Sequence, residues 1–127
     1  MWVPHGSEGY AQGHVVSQDA GGVLVRLDSG EEVRAAEARV CAVTPDAHKE
    51  FADMILINDL SEPVLLANLR RRYQADRIYT LIGPVLVSMN PYKKLPIYSQ
   101  PIMRSFAAYR LGDPRIAQNP HIFALAN

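Results

Sequence analysis

The stretch Ile78–Tyr98, IYTLIGPVLVSMNPYKKLPIY, decides the fold of the second half of the chain. Its two β-rich runs, Ile78–Ile82 and Val85–Met89, flank the turn dipeptide Gly83-Pro84, which predicts a hairpin or two consecutive strands. Both faces of these strands carry apolar side chains. We therefore expect the strands to be covered on both sides, within a larger α/β body than this chain can supply.

The loop after the second strand carries the residues best suited to a ligand. Asn90 has an amide that both donates and accepts, as reading a purine edge requires, and Pro91 offers a rigid apolar surface beside it. Lys93 and Lys94 add positive charge, and Tyr98 adds a flat ring with a hydroxyl. Open α/β sheets bind ligands beyond the carboxyl ends of their strands, where this loop lies. Residue chemistry alone still favours a plain turn, with Asn90 bonded to its own backbone, Tyr98 in the core and the lysines in water.

Helices are predicted on both sides of these strands. Ser61-Glu62-Pro63 opens the clearest one, because the Ser61 hydroxyl can accept a hydrogen bond from a first-turn N–H and Pro63 needs no donor there. This helix ends near Gln74, and its apolar stripe at helical spacing consists of Leu65, Leu66, Leu69 and Tyr73. A second helix runs from about Gln100 to Arg110. Pro120 then starts an apolar segment that resembles the opening of another helix.

Residues 1–44 have the pattern of a small antiparallel barrel. Turn signals at Gly21-Gly22 and Asp28-Ser29-Gly30 separate short β-prone runs. The runs are Tyr10–Ser17, Val23–Leu27 and Glu32–Arg34. Closing such strands into a barrel would remove their exposed edges. We expect an SH3-like barrel with Trp2 as a core anchor.

Composition and charge exclude several classes of protein. Hydrophobic residues make up 48% of the chain and charged residues 20%, which is typical of globular proteins. The formal net charge is 0, so no overall field attracts nucleic acid. Residues 70–115 contain nine basic and two acidic side chains, which allows a local anion site, although each arginine is better explained as part of a solvated helix face.

The single cysteine and the apolar runs bear on the cellular setting. Cys41 has no partner for an internal disulfide, which fits a reducing, intracellular environment. No apolar run approaches the roughly 20 residues of a membrane helix, so no membrane span is expected.

No catalytic or metal-binding residues are predicted. The sequence lacks the phosphate-binding pattern G-x-x-x-x-G-K-S/T, the pattern G-x-G-x-x-G and the zinc pattern H-E-x-x-H. Its four histidines are scattered without metal-ligand spacing. Asp53 and Asp59 are best explained as a helix cap and a turn residue.

Four motifs in order resemble the head of myosins. Asp59–Pro63 followed by Leu66–Tyr73 is similar to the family's "DLSE…LxNLxxRY" stretch, and Ile78–Lys93 resembles its "IYTYxGxxLVSVNPYK" strands. Leu95–Tyr98 and Pro120–Ala126 match the family again. The resemblance implies a mixed fold, in which a small all-β SH3-like barrel precedes the incomplete beginning of an α/β P-loop motor core built of helix, hairpin and helix.

The resemblance also implies a division of the chain. Residues 1–44 are similar to the barrel that precedes many myosin heads, with Trp2-Val3-Pro4 as its usual opening. Residues 45–52 are expected to form a linker, and residues 53–127 the start of the motor domain.

In myosins the loop after these strands borders the adenine pocket. The resemblance implies that Asn90 and Tyr98 contact the purine edge, that Pro91 packs beside the base, and that Lys93 and Lys94 line the mouth. The family's phosphate-binding loop lies some tens of residues further along. ATP and Mg²⁺ are therefore expected to serve the full motor, whereas this chain alone should bind nucleotide weakly at best and have no ATPase activity.

The same resemblance implies partners and a location. Full-length myosins bind actin filaments and light chains, but not through the residues present here, and they are cytoplasmic and associated with the cytoskeleton. Two alternatives stay open. One is an SH3-like adaptor whose second half binds a protein partner. The other is a nucleic-acid binder that uses the tyrosines of the basic region, and it is disfavoured by the zero net charge and the core-like spacing of Tyr73, Tyr79, Tyr92 and Tyr98.

Overall fold

The computed structural model describes residues 1–110 and 112–126 of the chain. Contacts between Cα atoms divide it into two compact units after Ala47. The finer boundaries 1–44, 45–52 and 53–127 remain predictions.

The first unit is a curled antiparallel sheet. Its strands are β1 (Trp2–His5), β2 (Gly9–Asp19), β3 (Gly22–Leu27) and β4 (Glu32–Ala35), and each pairs with the next in sequence. Beyond β4, Cys41 returns to β1, where its N–H and carbonyl exchange hydrogen bonds of 3.1 and 2.7 Å with those of Trp2. The sheet thereby curls into an SH3-like half-barrel, which confirms the predicted fold of this region.

Alternation along β3 sets the core of the first unit. Val23, Val25 and Leu27 are buried together with Val3 of β1, while Arg26 faces outward and pairs with Glu32 across the strands at 2.8 Å. Gly13 of β2 is required by close packing, since a Cβ atom there would lie 2.4 Å from the carbonyl oxygen of Arg26.

The strand at the N-terminus is absent from the sequence prediction. Trp2–His5 contains a proline and shows no alternation, and it becomes β1 because β2 supplies its hydrogen-bond partners. Trp2 is buried, as predicted for a core anchor.

Within the described residues, the second unit combines a hairpin with four α-helices. The hairpin consists of β5 (Tyr79–Ile82) and β6 (Val85–Ser88), and the helices are α1 (Glu62–Gln74), α2 (Gln100–Phe106), α3 (Pro114–Gln118) and α4 (Ile122–Leu125). The strands pair in antiparallel register from Tyr79–Ser88 to Ile82–Val85, which confirms the predicted hairpin. Gly83 adopts a φ of 55° in the turn, a conformation that glycine reaches without strain.

Asp53 fastens a neighbouring segment to this hairpin. Its Oδ1 atom accepts hydrogen bonds from the N–H of Ile55, which starts a short 3₁₀ turn at Met54–Leu56, and from the N–H of Gly83 at 3.0 Å. The N–H of Leu81 donates to the carbonyl of Ala52, so residues 52–53 run parallel beside β5. Asp53 therefore acts as the cap that the sequence predicted.

The buried face of α1 differs from the predicted apolar stripe. Val64, Asn68 and Arg72, spaced four residues apart, are buried, whereas Leu66 is 40% exposed. The predicted stripe is wrong because polar contacts orient the helix. Both polar atoms of the Asn68 amide bond to the main chain of Phe51, at 2.8 and 3.0 Å.

The predicted cap of α1 is also wrong in its chemistry. Ser61 occupies the N-cap position, yet its buried hydroxyl makes no hydrogen bond among the described residues. Asp59 contributes instead, since its Oδ1 atom accepts from the N–H of Ser61 at 3.0 Å. The predicted turn role of Asp59 is confirmed.

Short helices cover one face of the hairpin. Leu81, Phe106, Ile116 and Ala124 form the buried cluster. The prediction that α2 reaches Arg110 is wrong. The chain turns after Phe106, and this turn packs Tyr109 edge-on against Phe106, with ring centroids 5.0 Å apart.

The opposite face of the hairpin is covered at Thr80, which is 1% exposed, but it is open to solvent near the turn, where the predicted cover is missing. Ile82 is 38% exposed and Val85 58% exposed.

Among the described residues, no helix is both long and apolar enough to cross a bilayer.

Candidate functional site

The loop that leaves β6 starts with an internal turn. Asn90 accepts a hydrogen bond from the N–H of Tyr92 through Oδ1 at 2.9 Å, and Tyr92 has a φ of 51°. The side chain of Asn90 thus stabilises its own loop, as expected for a plain turn. Its Nδ2 group makes no hydrogen bond within the described part of the chain and remains available as a donor.

Pro91 is held by a hydrogen bond, and the two lysines differ in their ion pairing. The carbonyl of Pro91 accepts from the Tyr73 hydroxyl at 3.4 Å, which holds the loop beside the last turn of α1. Lys93 pairs with Asp76 at 2.6 Å. Lys94 is exposed and forms no ion pair within residues 1–110 and 112–126.

Tyr98 joins an aromatic cluster. Its hydroxyl lies 2.7 Å from that of Tyr79, and its ring packs edge-on against His121 and Phe123, with centroids 5.7 and 6.1 Å away. The side chain nevertheless stays 53% exposed. Tyr98 is therefore anchored on one side and open to a ligand on the other, and is not buried in the core.

Tyr79 is the buried member of this hydroxyl pair. Burial and, secondarily, the hydrogen bond with Tyr98 raise the pKa of Tyr79 to about 12. Its hydroxyl therefore stays protonated at neutral pH and can hold Tyr98 through a neutral hydrogen bond.

A cleft of about 500 Å³ lies next to the cluster. Tyr79, Ile97 and His121 form one part of its lining, and Glu50, Arg72 and Arg77 form another. Glu50 bridges the two arginines, with one carboxylate oxygen 2.8 Å from Arg72 and the other 2.6 Å from Arg77. Burial lowers the pKa of the Arg72 guanidinium, although the Glu50 charge opposes this.

Four of the five predicted site residues lie in two groups, and the fifth, Lys94, is exposed. Asn90, Pro91 and Lys93 lie beside the end of α1, whereas Tyr98 contacts β5 and α4. Reasoning from residue chemistry did not predict that Tyr79 and His121 belong to the site, as the partners of Tyr98. The sequence signal for His121 was its position after Pro120 at the start of a helix.

The arrangement is suited to recognition. Among the described residues, no group of three or more His, Cys, Asp or Glu side chains could hold a metal ion. Exposed donors and acceptors on Asn90 and Tyr98 could instead read the edge of a planar ligand.

Comparison with known sequences identifies the family. The profile of the myosin head (motor domain) matches residues 51–127, which is more than half of the chain, and the profile of the myosin N-terminal SH3-like domain matches residues 1–43. The chain belongs to the myosin family. The predicted resemblance to an N-terminal barrel and the start of a motor head is thereby confirmed.

Two relatives from Dictyostelium discoideum show how much of a myosin is present. This myosin chain is 40% identical over 129 residues to the myosin-M heavy chain and 32% identical over 127 residues to the myosin-H heavy chain. Each alignment covers 99% of this chain and 7% of the relative. The chain therefore spans only a small part of the length of these relatives.

Proposed function

We propose that this myosin chain supplies the base-binding side of the ATP site of an actin-based, ATP-driven motor. The half-exposed Tyr98, with its hydroxyl fixed by Tyr79, carries the proposal, because it presents an oriented polar group from the loop after β6. This loop lies within the region that matches the motor domain.

Each loop residue has a role in this proposal. Tyr98 and the Nδ2 group of Asn90 read the edge of the adenine, and Pro91 packs beside the base. Lys94, which has no ion pair within the described residues, brings its charge to the mouth, while Lys93 can contribute only if its ion pair with Asp76 opens. ATP and Mg²⁺ are the ligands of the full motor and are not assigned to this chain alone. This sequence has no phosphate-binding lysine loop that could stabilise a transferring phosphoryl group.

The wider role follows from the family. We propose actin filaments and light chains as partners of the full-length protein, through segments other than those present here, and the cytoplasm, in association with the cytoskeleton, as its location. An SH3-like adaptor gains little support, because residues 51–127 match the motor head.

Adenosine binding tests the loop directly. We expect saturation-transfer NMR to detect weak adenosine contact with the 127-residue chain, and Asn90→Ala or Tyr98→Phe to reduce it several-fold. Tyr92→Phe is the matched control, because this ring is 88% exposed and only the Tyr92 N–H contacts Asn90. Binding that is absent, or indifferent to Asn90 and Tyr98, would contradict the proposal.

Phosphate release tests the expected inactivity. Without the phosphate cradle, the purified chain should not turn over Mg-ATP above a buffer blank. Measurable turnover that co-purifies with the chain would show that this part of the proposal is wrong.

A further inference from the structure

His121 uses both ring nitrogens in hydrogen bonds to the main chain. Nδ1 accepts from the N–H of Phe123 at 3.1 Å and caps α4, and Nε2 lies 2.8 Å from the carbonyl oxygen of Ile97. A backbone N–H can only donate and a carbonyl can only accept. The ring must therefore be neutral, with its hydrogen on Nε2 and none on Nδ1.

The ring connects four elements of the second unit. It is 6% exposed, stacks on Phe106 of α2 at 5.0 Å, and contacts Tyr79 of β5, Phe123 of α4 and Tyr98 of the loop. Its Nε2–H bond holds the residue immediately before Tyr98. His121 therefore holds the end of the loop that carries Ile97 and Tyr98.

We infer that His121 is a positioning residue, which holds Tyr98 in place for the nucleotide base only while its ring is the neutral Nε2–H tautomer. Protonation would place an Nδ1–H against the N–H of Phe123 and a charge inside the buried aromatic cluster, so repulsion between the two donors and the cost of burying the charge would drive the ring out and break its Nε2–H bond to Ile97 as well. The Ile97–Tyr98 segment would then detach from the aromatic cluster. The part that concerns the base rests on the function proposed above.

The surroundings of the ring make this titration specific. The ionisable groups that contact it among the described residues are the hydroxyls of Tyr79 and Tyr98, and the pKa of Tyr79 is raised to about 12. Among its described lining residues, the cleft beside His121 has two carboxylates, and both are ion-paired. The pairs are Glu50 with Arg72 and Arg77, and Asp76 with Lys93. On the side of α2 and α3, Arg115 lies over the ring of Tyr109 and pairs with Asp113.

Burial determines the direction of the pH dependence. It lowers the pKa of His121 in the folded chain, while the unfolded chain retains the ordinary histidine value of about 6.5. Below that value the unfolded chain binds more protons than the folded one. The contribution of His121 to stability is therefore complete above about pH 6.5 and is lost as the pH falls through the folded pKa.

NMR on the full 127-residue chain tests the inference. The ring carbon and nitrogen shifts of His121 should report the Nε2–H tautomer at neutral pH. When the pH is lowered until the ring titrates, the nuclear Overhauser contact between the rings of His121 and Tyr98 should disappear together with that tautomer. An Nδ1–H tautomer at neutral pH, or a contact that survives protonation of the ring, would overturn the inference.

Two amide substitutions separate the two hydrogen bonds. In His121→Gln the terminal amide can replace Nε2 and keep the bond to Ile97, so Tyr98 should stay in place and lose its pH dependence. In His121→Asn the shorter amide can replace Nδ1 and keep the α4 cap, but Tyr98 should be displaced at every pH. His14→Gln is the control, because the His14 side chain is 92% exposed. Equal behaviour of the two variants would contradict a positioning role.

Adenosine binding separates this inference from the proposed function. If both hold, His121→Asn should weaken binding several-fold near neutral pH, to the level that the unmodified chain shows once its His121 ring is protonated, whereas His121→Gln should bind alike under both conditions. If Tyr98 moves with His121 but binding depends on neither Asn90 nor Tyr98, the proposed function fails and the positioning role stands. If binding depends on Tyr98 but the position of Tyr98 does not depend on His121, the positioning role fails and the proposed function stands.

Discussion

Arg72 connects three segments of the second unit through one guanidinium group. Nε donates to the hydroxyl of Thr80, Nη1 to Glu50 and Nη2 to the carbonyl of Tyr79, each at 2.8 Å. The residue is only 4% exposed. A buried charge is tolerated when hydrogen bonds and a counter-ion replace its hydration, as they do here.

Replacing Arg72 should therefore destabilise the second unit strongly. Arg72→Met leaves Glu50, Thr80 and the carbonyl of Tyr79 without this partner, and we expect a loss of about 3–5 kcal/mol in the free energy of opening. Hydrogen exchange at the amides of α1 measures that free energy. Arg77→Met is the matched control, since Arg77 pairs with the same Glu50 but its side chain is 53% exposed, and it should cost no more than about 1 kcal/mol. Equal losses would show that burial does not decide the effect.

Sequence reasoning assigned arginines such as Arg72 to a solvated helix face, and for Arg72 this was wrong. The error has a physical cause, because its partners Glu50 and Thr80 lie 22 and 8 residues away and no local pattern identifies them. Tyr98 shows the same limit, since Tyr79 is 19 residues distant. The resemblance pointed to Asn90 and Tyr98, but nothing in the loop itself indicated how Tyr98 is anchored.

At the scale of elements, local signals succeeded where the chain pairs with its own neighbours. The hairpin of β5 and β6 was predictable from two β-rich runs around Gly83-Pro84. The length of α1 was also predictable, from Pro63 near its start to Gln74 at its end. Its buried face was not predictable, because main-chain contacts of Asn68 with the distant Phe51 outweigh the leucine stripe.

The start of α1 gives a test at this scale. A serine cap usually contributes about 1 kcal/mol, but the Ser61 hydroxyl is buried without a hydrogen bond in the described structure. We expect Ser61→Ala to leave the stability of α1 unchanged or slightly raised, as measured by hydrogen exchange. Asp59→Ala is the comparison, because it removes the acceptor of the Ser61 N–H and should destabilise the helix start. A clear loss for Ser61→Ala would mean that the hydroxyl caps the helix in solution.

At the scale of the molecule, the end of the hairpin presents a group of apolar side chains to solvent. Ile55 and Val85 are 61% and 58% exposed, Ile82 is 38% exposed, and a Cβ atom on Gly83 would lie 3.5 Å from Ile55. Exposed apolar surface beside a strand edge favours association between molecules.

The isolated chain should therefore self-associate through this end. We expect sedimentation velocity to show association that grows with concentration and that falls markedly in the double variant Ile82→Thr/Val85→Thr, since threonine keeps the preference for strands. Val15→Thr/Val16→Thr on β2 is the control, because these valines are similarly exposed, at 47% and 46%, but lie outside the apolar group at the end of the hairpin. A chain that stays monomeric at high concentration would contradict this expectation.

The contact between Trp2 and Cys41 has a consequence for the order of events during synthesis. The strands of the first unit pair with their sequence neighbours and can form one after another as the chain emerges from the ribosome. Trp2, which is made before the rest of this sheet, must wait for Cys41 before both of its backbone hydrogen bonds to that residue can close. A nascent chain that pauses before Cys41 would hold a paired sheet whose first strand is still open along one edge.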